Sequence, residues 1–245
     1  MVNMDTLKTC FKLSCITFSG ILLFLMGSYI FIIPDVSELI HAADDNQMMV
    51  QQFYTNNDHT CTLEEIPRLM VYAFITSEDG DFYVHYGIDL MALMRATKTL
   101  ITTGKKSEGG STITMQVARN FYLHKRKTFL RKYREILLAL KLERNFSKQQ
   151  ILEFYLNKIY FGNNQYGVKD ASKYYYGKTL DELTLAQIAM IAIIPRAPSN
   201  DNPLDNPALS LKRRNHLLQK MLHVGQISIE EYTKAFKEPL TAAPH

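Results

Sequence analysis

Apolar residues recur along most of the chain at the three- and four-residue spacing of amphipathic helices. Four of these apolar runs are preceded by Ser or Thr with Glu or Gln three residues later, which is the spacing of a capping box. The four boxes begin at Thr62, Ser147, Thr184 and Ser228. Alternation typical of β-strands is scarce. The pattern predicts a mainly α fold with at most a short hairpin.

Breaks in this periodicity predict the first helices of the chain. The helix behind the first capping box is expected to run without interruption into a turn at residues 77–80, where Gly80 permits the change of direction. A second helix is expected over residues 90–100. The following stretch, residues 102–110, is rich in glycine and polar residues and is expected to be a flexible loop.

Prolines and glycines predict the ends of the later helices. Pro195 stops the apolar run behind the third capping box, because proline lacks the N–H group that a helix interior needs. Asn206 followed by Pro207 is a typical helix start, with proline at the first helical position. Gly225 predicts the end of that helix.

The N-terminal segment has the pattern of a membrane-spanning helix. Residues 13–33 contain no charged side chain, and a helix of about 20 apolar residues is long enough to cross a bilayer. Two lysines precede the segment and acidic residues follow it: Lys8, Lys12, Asp35, Glu38, Asp44 and Asp45. Because short loops rich in Lys stay in the cytoplasm, the remainder of the chain is expected on the outer face.

These features predict four regions: a cytoplasmic N-terminus (1–12), a transmembrane anchor (13–33), a tether (34–59) and a catalytic domain (60–245). A cleaved signal peptide is the alternative interpretation of the anchor. The apolar run is long for a signal core, however, and only a weak cleavage site follows at residues 40–43. The uncleaved anchor is therefore the favoured prediction.

Composition narrows the class of protein. With 245 residues, 47% of them hydrophobic and 21% charged, the chain can form one soluble domain in addition to the anchor. Cys10 and Cys15 lie at or inside the anchor, which leaves Cys61 alone in the exported part. An internal disulfide is therefore excluded there, and no Cys/His spacing typical of a structural zinc site occurs.

A basic run at residues 119–134 holds seven Lys or Arg and no acid. Such a run indicates a solvated helix face or an anionic partner. A nucleic-acid-binding membrane protein is one hypothesis, but it depends on this run alone. An exported domain beside a membrane meets phospholipid and lipid pyrophosphate instead, so no nucleic-acid partner is expected.

Adjacent acids at a predicted helix end are the first candidates for chemistry. Glu78 and Asp79 precede Phe82, His85 and Asp89, and a carboxylate held at a turn by its neighbours can act as a general base. The alternative is that acids at helix ends are solvated or cap a helix. His85 by itself is more often a structural hydrogen-bonding residue than a catalyst.

Two further candidates follow along the chain. Residues 108–116 combine glycines with hydroxyl side chains ahead of a helix, a pattern that can bind phosphate but that also occurs in ordinary loops. Arg131 and Glu135 lie one helical turn apart, which on its own indicates a surface ion pair. Aromatic residues such as Tyr174, Tyr175 and Tyr176 are expected mainly in the core.

Four motifs occur in order: Glu78, Asp79, Phe82, His85, Gly87 and Asp89, then residues 109–114, then Arg131, Lys132 and Glu135, then residues 148–157. In this order they resemble the motifs of the family 51 glycosyltransferases, the peptidoglycan polymerases. The resemblance extends from about Glu64 to the C-terminus. Several spaced motifs in order are far more specific than any one of them.

The resemblance implies a lysozyme-like helical glycosyltransferase domain. It also implies an inverting transfer from a polyprenyl-pyrophosphate-linked donor, lipid II, to the sugar hydroxyl of an acceptor, with release of polyprenyl pyrophosphate. Glu78 corresponds to the general base, and Glu135 to a second glutamate that orients groups near the pyrophosphate. The implied substrate-binding residues are Asp79, Phe82, His85, Lys106, Gly109, Gly110, Ser111, Thr112, Thr114, Gln116, Arg119, Arg131 and Lys132.

The leaving group explains why this chemistry needs cations. Pyrophosphate leaves as a stable anion, so nearby positive charge stabilises it, whereas a glycosidase must protonate a poor leaving group. Arg119, Arg131 and Lys132, together with Lys106, would supply that charge. A divalent cation, Mg²⁺ or Mn²⁺, is compatible with this chemistry, but no metal-ligand cluster supports one. The implied partners are lipid II, the growing glycan strand, the cytoplasmic membrane, and transpeptidases or other cell-wall synthesis proteins.

Two features keep alternatives open. The family usually has two glutamines after Ile-Thr, whereas Met115 here precedes Gln116, which leaves a weakly active cell-wall scaffold as one alternative. A lysozyme-like hydrolase or lytic transglycosylase is another. Residues 195–245 resemble the corresponding part of the glycosyltransferase module of class A penicillin-binding proteins, but no serine transpeptidase motif is present. Both a monofunctional enzyme and a piece of a bifunctional one fit this sequence.

Overall fold

The computed structural model describes residues 13–14, 16–20, 23–24, 27, 59–104, 110–123 and 129–244. The predicted cytoplasmic N-terminus, much of the predicted anchor and nearly all of the predicted tether lie outside these residues. Those residues of the anchor segment that are described are helical. Among the described residues, no helix has the length and apolar character needed to cross a membrane. The anchor therefore stays a prediction.

The part of the chain described from residue 59 onwards is built from α-helices and two 3-10 turns. The α-helices are α1 (Arg68–Glu78), α2 (Leu90–Thr103), α3 (Ile113–Tyr122), α4 (Phe129–Asn145), α5 (Lys148–Lys158), α6 (Val168–Tyr176), α7 (Leu185–Ile193), α8 (Pro207–His223) and α9 (Ile229–Lys237). The 3-10 turns are Leu63–Glu65 and Ile194–Arg196. An isolated antiparallel bridge joins Tyr160 and Tyr166, which is consistent with the expectation of at most a short hairpin. The mainly α prediction is confirmed, and the lysozyme-like arrangement stays a prediction.

All four predicted capping boxes are present. The first does not open the long helix that was predicted behind it. It caps only the 3-10 turn Leu63–Glu65, and α1 begins at Arg68. Pro67 separates the two because proline restricts the preceding residue, Ile66, to extended conformations, and Ile66 has φ −90° and ψ 124°.

Helix ends follow the predicted signals at most positions. Pro195 lies in the 3-10 turn directly after α7, and Pro207 is the first residue of α8. Gly225 has a φ of +73° just beyond α8. Helix α2 is longer than predicted and ends at Thr103, and the Thr102 and Thr103 hydroxyls bond to carbonyls one turn earlier.

The core is organised around α7, a helix in which all residues after Leu185 are buried. It packs against α1 and α8, while α3 packs against α4 and α5. One apolar cluster joins the two groups of helices. Tyr175 and Tyr176 are buried in it and Tyr174 packs against it, as expected for core aromatics.

The two groups of helices meet where α1 ends and α3 begins. Asp79, the residue that follows α1, accepts a hydrogen bond from the Ile113 backbone N–H at 2.9 Å through its Oδ2 atom. Ile113 is the first residue of α3. A negative charge is favourable at a helix N-terminus, where backbone N–H groups have no partner within the helix. This contact brings the first two sequence motifs together.

Candidate active site

Glu78 is the last residue of α1, and its two carboxylate oxygens differ in their hydrogen bonding. The Gln116 side-chain amide donates a hydrogen bond to Oε2 at 2.8 Å, and Arg119 donates to the same amide at 3.4 Å. The Oε1 atom is buried and has no hydrogen-bond partner among the described residues, although Glu78 as a whole is partly exposed. One oxygen is therefore held in place, and the other is unpaired.

Burial raises the pKa of Glu78 above its ordinary value of 4.5. The hydrogen bond from Gln116 and the charges of Arg196 and Arg119 oppose this shift, whereas the neighbouring Asp79 adds to it. A carboxylate whose pKa lies closer to neutrality is a stronger base when it is ionised. The environment of Glu78 is therefore suited to accepting a proton from a substrate.

Asp79 has a different environment from its neighbour. It is only 7% exposed and binds both the start of α3, at Ile113, and the Nε2 atom of His85 at 2.9 Å. His85 is fixed in turn, because its carbonyl accepts a hydrogen bond from Lys148 Nζ at 2.7 Å. The alternative that acids at helix ends serve as caps therefore describes Asp79 but not Glu78.

Phe82 lies beneath this cluster and is fully buried. Its ring is edge-on to His85 at 6.4 Å between centroids, and Lys148 Nζ lies 4.5 Å from its centroid. Lys148 also donates a hydrogen bond to Glu143 Oε1 at 2.7 Å. The structure places Phe82 as a support for His85 and Lys148 and gives it no exposed face.

The hydroxyl residues of the second motif divide into buried and accessible ones. Thr112 accepts a bond from Met115 N at 3.1 Å and donates to Gly87 O at 2.7 Å, and Thr114 donates to Glu143. Both threonines are buried and bonded within the protein. Ser111 is partly exposed. Thr112 and Thr114 therefore fix the start of α3, and a contact with the donor stays a prediction for them.

Gly110 is close-packed, since a Cβ atom there would lie 2.9 Å from Ala96 Cβ on α2. Met115 is 1% exposed, so its side chain presents no surface to a ligand. The amide that contacts the first glutamate is supplied by the next residue, Gln116. Lys106 and Gly109 lie outside the described residues.

Glu135 is the second glutamate of the site and, unlike Glu78, it is buried, at 1% exposure. Arg131 pairs with its Oε1 atom, and Lys132 Nζ lies 3.0 Å from its Oε2 atom. Lys132 also donates to the Ser111 hydroxyl at 2.7 Å. The interpretation of Arg131 and Glu135 as a surface ion pair is wrong, because the Glu135 side chain is buried.

Arg119 connects the two carboxylate clusters. Burial lowers the pKa of Arg119, while the charge of Glu78 raises it. The pKa of Arg131 is lowered mainly by burial and also by the charge of Arg119. Arginine remains protonated at neutral pH despite such shifts. A row of three cations, Arg119, Arg131 and Lys132, therefore runs from Glu78 to Glu135.

Sequence reasoning missed three residues that contact or approach this cluster. Arg196 lowers the pKa of Glu78 by its charge, although it follows α7 far along the chain. Burial raises the pKa of Tyr155, the charge of Glu78 raises it further, and the charge of Arg119 lowers it. Lys148 supports His85. Lys148 and Tyr155 carried a signal, because both lie in the fourth motif, residues 148–157.

Gly87 permits the close approach of the His85 loop to α4. Its φ is +76°, and a Cβ atom there would lie 2.9 Å from both Ala139 O and Glu143 Cγ. We expect Gly87→Ala to lower the free energy of unfolding by about 2 kcal/mol or more, from backbone strain and overpacking. Urea unfolding followed by circular dichroism measures this.

Gly80→Ala is the matched control for that change. A Cβ atom at Gly80 meets nothing within 4 Å, and Gly80 is not among the residues with positive φ. We expect its free energy of unfolding to stay within about 0.5 kcal/mol of the parent. Equal unfolding midpoints for the two variants would contradict the role given to Gly87.

The described residues contain no group of three or more His, Cys, Asp or Glu side chains that could hold a metal ion. The carboxylate nearest the row of cations, Glu135, has both oxygens engaged by Arg131 and Lys132. Two fixed positive charges at that carboxylate would repel a divalent ion. The donor set in the described part of the chain does not fit a protein-held metal at Glu135.

Comparisons with known proteins agree with one another. Residues 45–222 match the family model described as Transglycosylase. Penicillin-binding protein 1A of Pseudomonas aeruginosa is 40% identical over 248 residues, covering 97% of this chain and 30% of that protein. A provisionally assigned transglycosylase of Cupriavidus necator is 49% identical over 176 residues, covering 72% of this chain and 76% of that protein.

A solved structure also matches. The crystal structure of penicillin-binding protein 1A from Haemophilus influenzae aligns with a TM-score of 0.46 and 28% identity, covering 76% of this chain and 18% of that chain. The chain spans under a third of the length of the penicillin-binding proteins 1A to which it is similar. Its similarity to the Cupriavidus protein extends over most of that protein.

Proposed function

Because the chain belongs to the transglycosylase family, we propose that it is a peptidoglycan glycosyltransferase that polymerises lipid II into glycan strands. The proposed reaction is an inverting glycosyl transfer that releases polyprenyl pyrophosphate. The observation that carries the proposal is the contrast between the two glutamate carboxylates of the site. Glu78 keeps one oxygen unpaired, whereas Glu135 is held by Arg131 and Lys132.

Glu78 is the proposed general base. It would take the proton from the acceptor sugar hydroxyl as that hydroxyl attacks the anomeric carbon of the donor. Its raised pKa supports this role, and so does the hydrogen bond from Gln116, which fixes the carboxylate while Oε1 remains without a partner among the described residues. A base held in hydrogen-bonding geometry lowers the barrier to proton transfer.

The cations are proposed to stabilise the departing pyrophosphate. Arg119 acts on both Glu78 and Arg131 through its charge, and Glu135 orders Arg131 and Lys132 by pairing with both. Preorganised positive charge stabilises an anion that develops in the transition state without a cost for reorganisation at that moment. Ser111, which accepts a bond from Lys132, would lie at the same end of the site.

Exposed apolar side chains next to the site support a lipid-linked substrate and a location at the membrane surface. Tyr83, Val84 and Tyr86 are 54%, 79% and 81% exposed in the loop after Asp79, and Leu90, Met91 and Met94 are exposed on α2. Exposed apolar side chains that form a large patch mark membrane or ligand contacts. The proposed arrangement is a single-pass protein of the bacterial cytoplasmic membrane with its catalytic domain on the outer face.

A lytic transglycosylase or hydrolase is the second candidate function. A raised pKa also suits a carboxylic acid that protonates a glycosidic oxygen, and Glu78 has such a pKa. That function would leave the pairing of Glu135 with Arg131 and Lys132 without a chemical role. The two candidates differ in the substrate that is consumed.

A direct assay separates them. The detergent-solubilised protein is incubated with labelled lipid-linked disaccharide pentapeptide, and the products are separated by size. A ladder of glycan strands is expected. Cleavage of added peptidoglycan without strand synthesis would identify the lytic enzyme instead, and inactivity of the folded protein in both assays would favour a scaffold.

The pH dependence of polymerisation provides a further prediction. A general base acts only when deprotonated, so the rate should fall as the pH drops through the pKa of Glu78. Because burial raises that pKa, we expect the midpoint of the acid limb of kcat/KM to lie above 4.5. Initial rates between about pH 4 and 8, each with a check that the protein remains folded, measure it. A midpoint at or below the ordinary carboxyl value would contradict the assignment.

A further inference from the structure

Tyr155 has a buried hydroxyl group that the reaction proposed above does not use. The residue lies on α5, is 1% exposed, and its hydroxyl has no hydrogen-bond partner among the described residues. Buried hydroxyl groups in proteins nearly always have a partner, so an unpaired one needs an explanation. Tyr175, an equally buried tyrosine of the same core, donates its hydroxyl to Phe161 O at 2.8 Å.

The ring of Tyr155 packs next to the face of α1 that carries Glu78. Its centroid lies 6.1 Å from that of Phe74, with the rings edge-on. Phe74 precedes Glu78 by four residues, which places both on one face of α1 a single turn apart. Burial raises the pKa of Tyr155 well above its ordinary value, and the charge of Glu78 raises it further, so the two groups lie within electrostatic reach.

The unpaired atoms on the two side chains are complementary. Glu78 Oε1 is a buried acceptor without a partner among the described residues, and the Tyr155 hydroxyl is a buried donor without one. The other carboxylate oxygen already accepts from Gln116. A phenol hydroxyl can donate one hydrogen bond, and each carboxylate oxygen can accept two. A single donated bond therefore leaves Oε1 with a lone pair for the substrate proton.

We propose that Tyr155 is a positioning residue, whose hydroxyl donates a hydrogen bond to a water molecule that in turn donates to Glu78 Oε1 and so orients the carboxylate toward the acceptor hydroxyl. The catalytic role given to Tyr155 rests on the proposed function, whereas the contact between Tyr155 and Glu78 can be tested without it. Gln116 and, through the water molecule, Tyr155 then hold the two oxygens from different helices, α3 and α5. The carboxylate cannot rotate without breaking one of these bonds.

Tyr155→Phe tests the contact, because it removes only the hydroxyl. A hydrogen bond to the charged form of a carboxylate lowers its pKa, so its loss should raise the pKa of Glu78 by about one unit. We expect the acid limb of the kcat/KM profile to move up by that amount. The rate should fall on the alkaline plateau through loss of orientation, and about tenfold further on the acid side through the shifted pKa.

Tyr175→Phe is the matched control. It removes a buried tyrosine hydroxyl that bonds to the backbone and not to Glu78. We expect a lower melting temperature and an unmoved acid limb. A uniform loss of rate in Tyr155→Phe, with the acid limb where it was, would show a role in packing alone and would overturn the proposal.

Carboxyl titration separates this proposal from the proposed function. The pKa of Glu78 is measured by ¹³C NMR in the full-length, detergent-solubilised protein labelled at glutamate side chains, which requires no turnover. Absence of polymer would count against the glycosyltransferase, whereas an unchanged Glu78 pKa in Tyr155→Phe would count against Tyr155. The variant Glu78→Gln identifies the signal by removing it.

A second substitution covers the case in which Tyr155→Phe does not fold. Incorporation of 3-fluorotyrosine at position 155 keeps the hydroxyl and makes it a stronger donor. We expect the pKa of Glu78 to fall below that of the parent protein, since a stronger donor stabilises the carboxylate. An unchanged or higher Glu78 pKa in the fluorinated protein would overturn the proposal.

Discussion

Replacing Glu78 by glutamine is expected to reduce glycan-strand synthesis by at least about 10³-fold while leaving the fold intact. The substitution removes the group that accepts the proton, and general-base catalysis contributes about 10²- to 10⁴-fold to such reactions. Glutamine has the same shape as the carboxylate, and the Gln116 amide can still bond to its oxygen. The measurement is the rate of lipid II consumption together with the size distribution of the products.

Glu153→Gln is the control for that experiment. Burial also raises the pKa of Glu153, but its carboxylate accepts a bond from the Leu63 backbone N–H at 2.8 Å. It should retain a rate within a few-fold of the parent, because it removes a partly buried carboxylate outside the site. A near-parental rate for Glu78→Gln would show that another group takes the proton, and would refute the assignment.

Glu135→Gln is expected to lower the polymerisation rate by about 100-fold through loss of order in the donor site. The carboxylate holds Arg131 and Lys132 together, and a neutral amide cannot balance two cations. Misplacement of such groups by about 1 Å costs rates of this size. Because this change leaves the base at Glu78 in place, residual activity should exceed that of Glu78→Gln. The rate of lipid II consumption by the two variants, assayed side by side, measures the difference.

Stability must be separated from activity in this case. Breaking a buried ion pair leaves uncompensated charge and costs up to about 3 kcal/mol here, where both cations are partly exposed. Asp201→Asn is a suitable control, since Asp201 is fully buried and pairs with Arg213. We expect comparable losses in unfolding midpoint but a rate reduction only in Glu135→Gln. Unchanged donor turnover in Glu135→Gln would count against its role.

The two glutamates thus have separate tasks that follow from their surroundings. Glu78 is partly exposed and has one oxygen unpaired among the described residues, which allows it to exchange a proton. Glu135 is buried and both of its oxygens are paired with cations, which leaves neither oxygen open to a substrate proton. The two glutamates therefore have different proposed roles: Glu78 is the base, and Glu135 positions Arg131 and Lys132.

Much of the local structure was predictable because its causes are local. Capping boxes bring together groups only three residues apart, and the boxes at Ser147, Thr184 and Ser228 open helices as predicted. The departure from the prediction at Thr62 has a local cause too, since Pro67 separates the first turn from the helix behind it. Helical spacing also placed Arg131 and Glu135 on one face.

The sequence by itself determined the helical class, the caps and the family, because these depend on spacings within one element or on motifs read in order. The tertiary structure decided which acid is a cap, which is unpaired and which is buried. Gln116 reaches Glu78 across 38 residues of chain, Asp79 caps α3 across 34, and Tyr155 approaches from α5. Packing of helices against one another sets these contacts, and desolvation at their junction shifts the pKa of Glu78, so no local pattern could contain them.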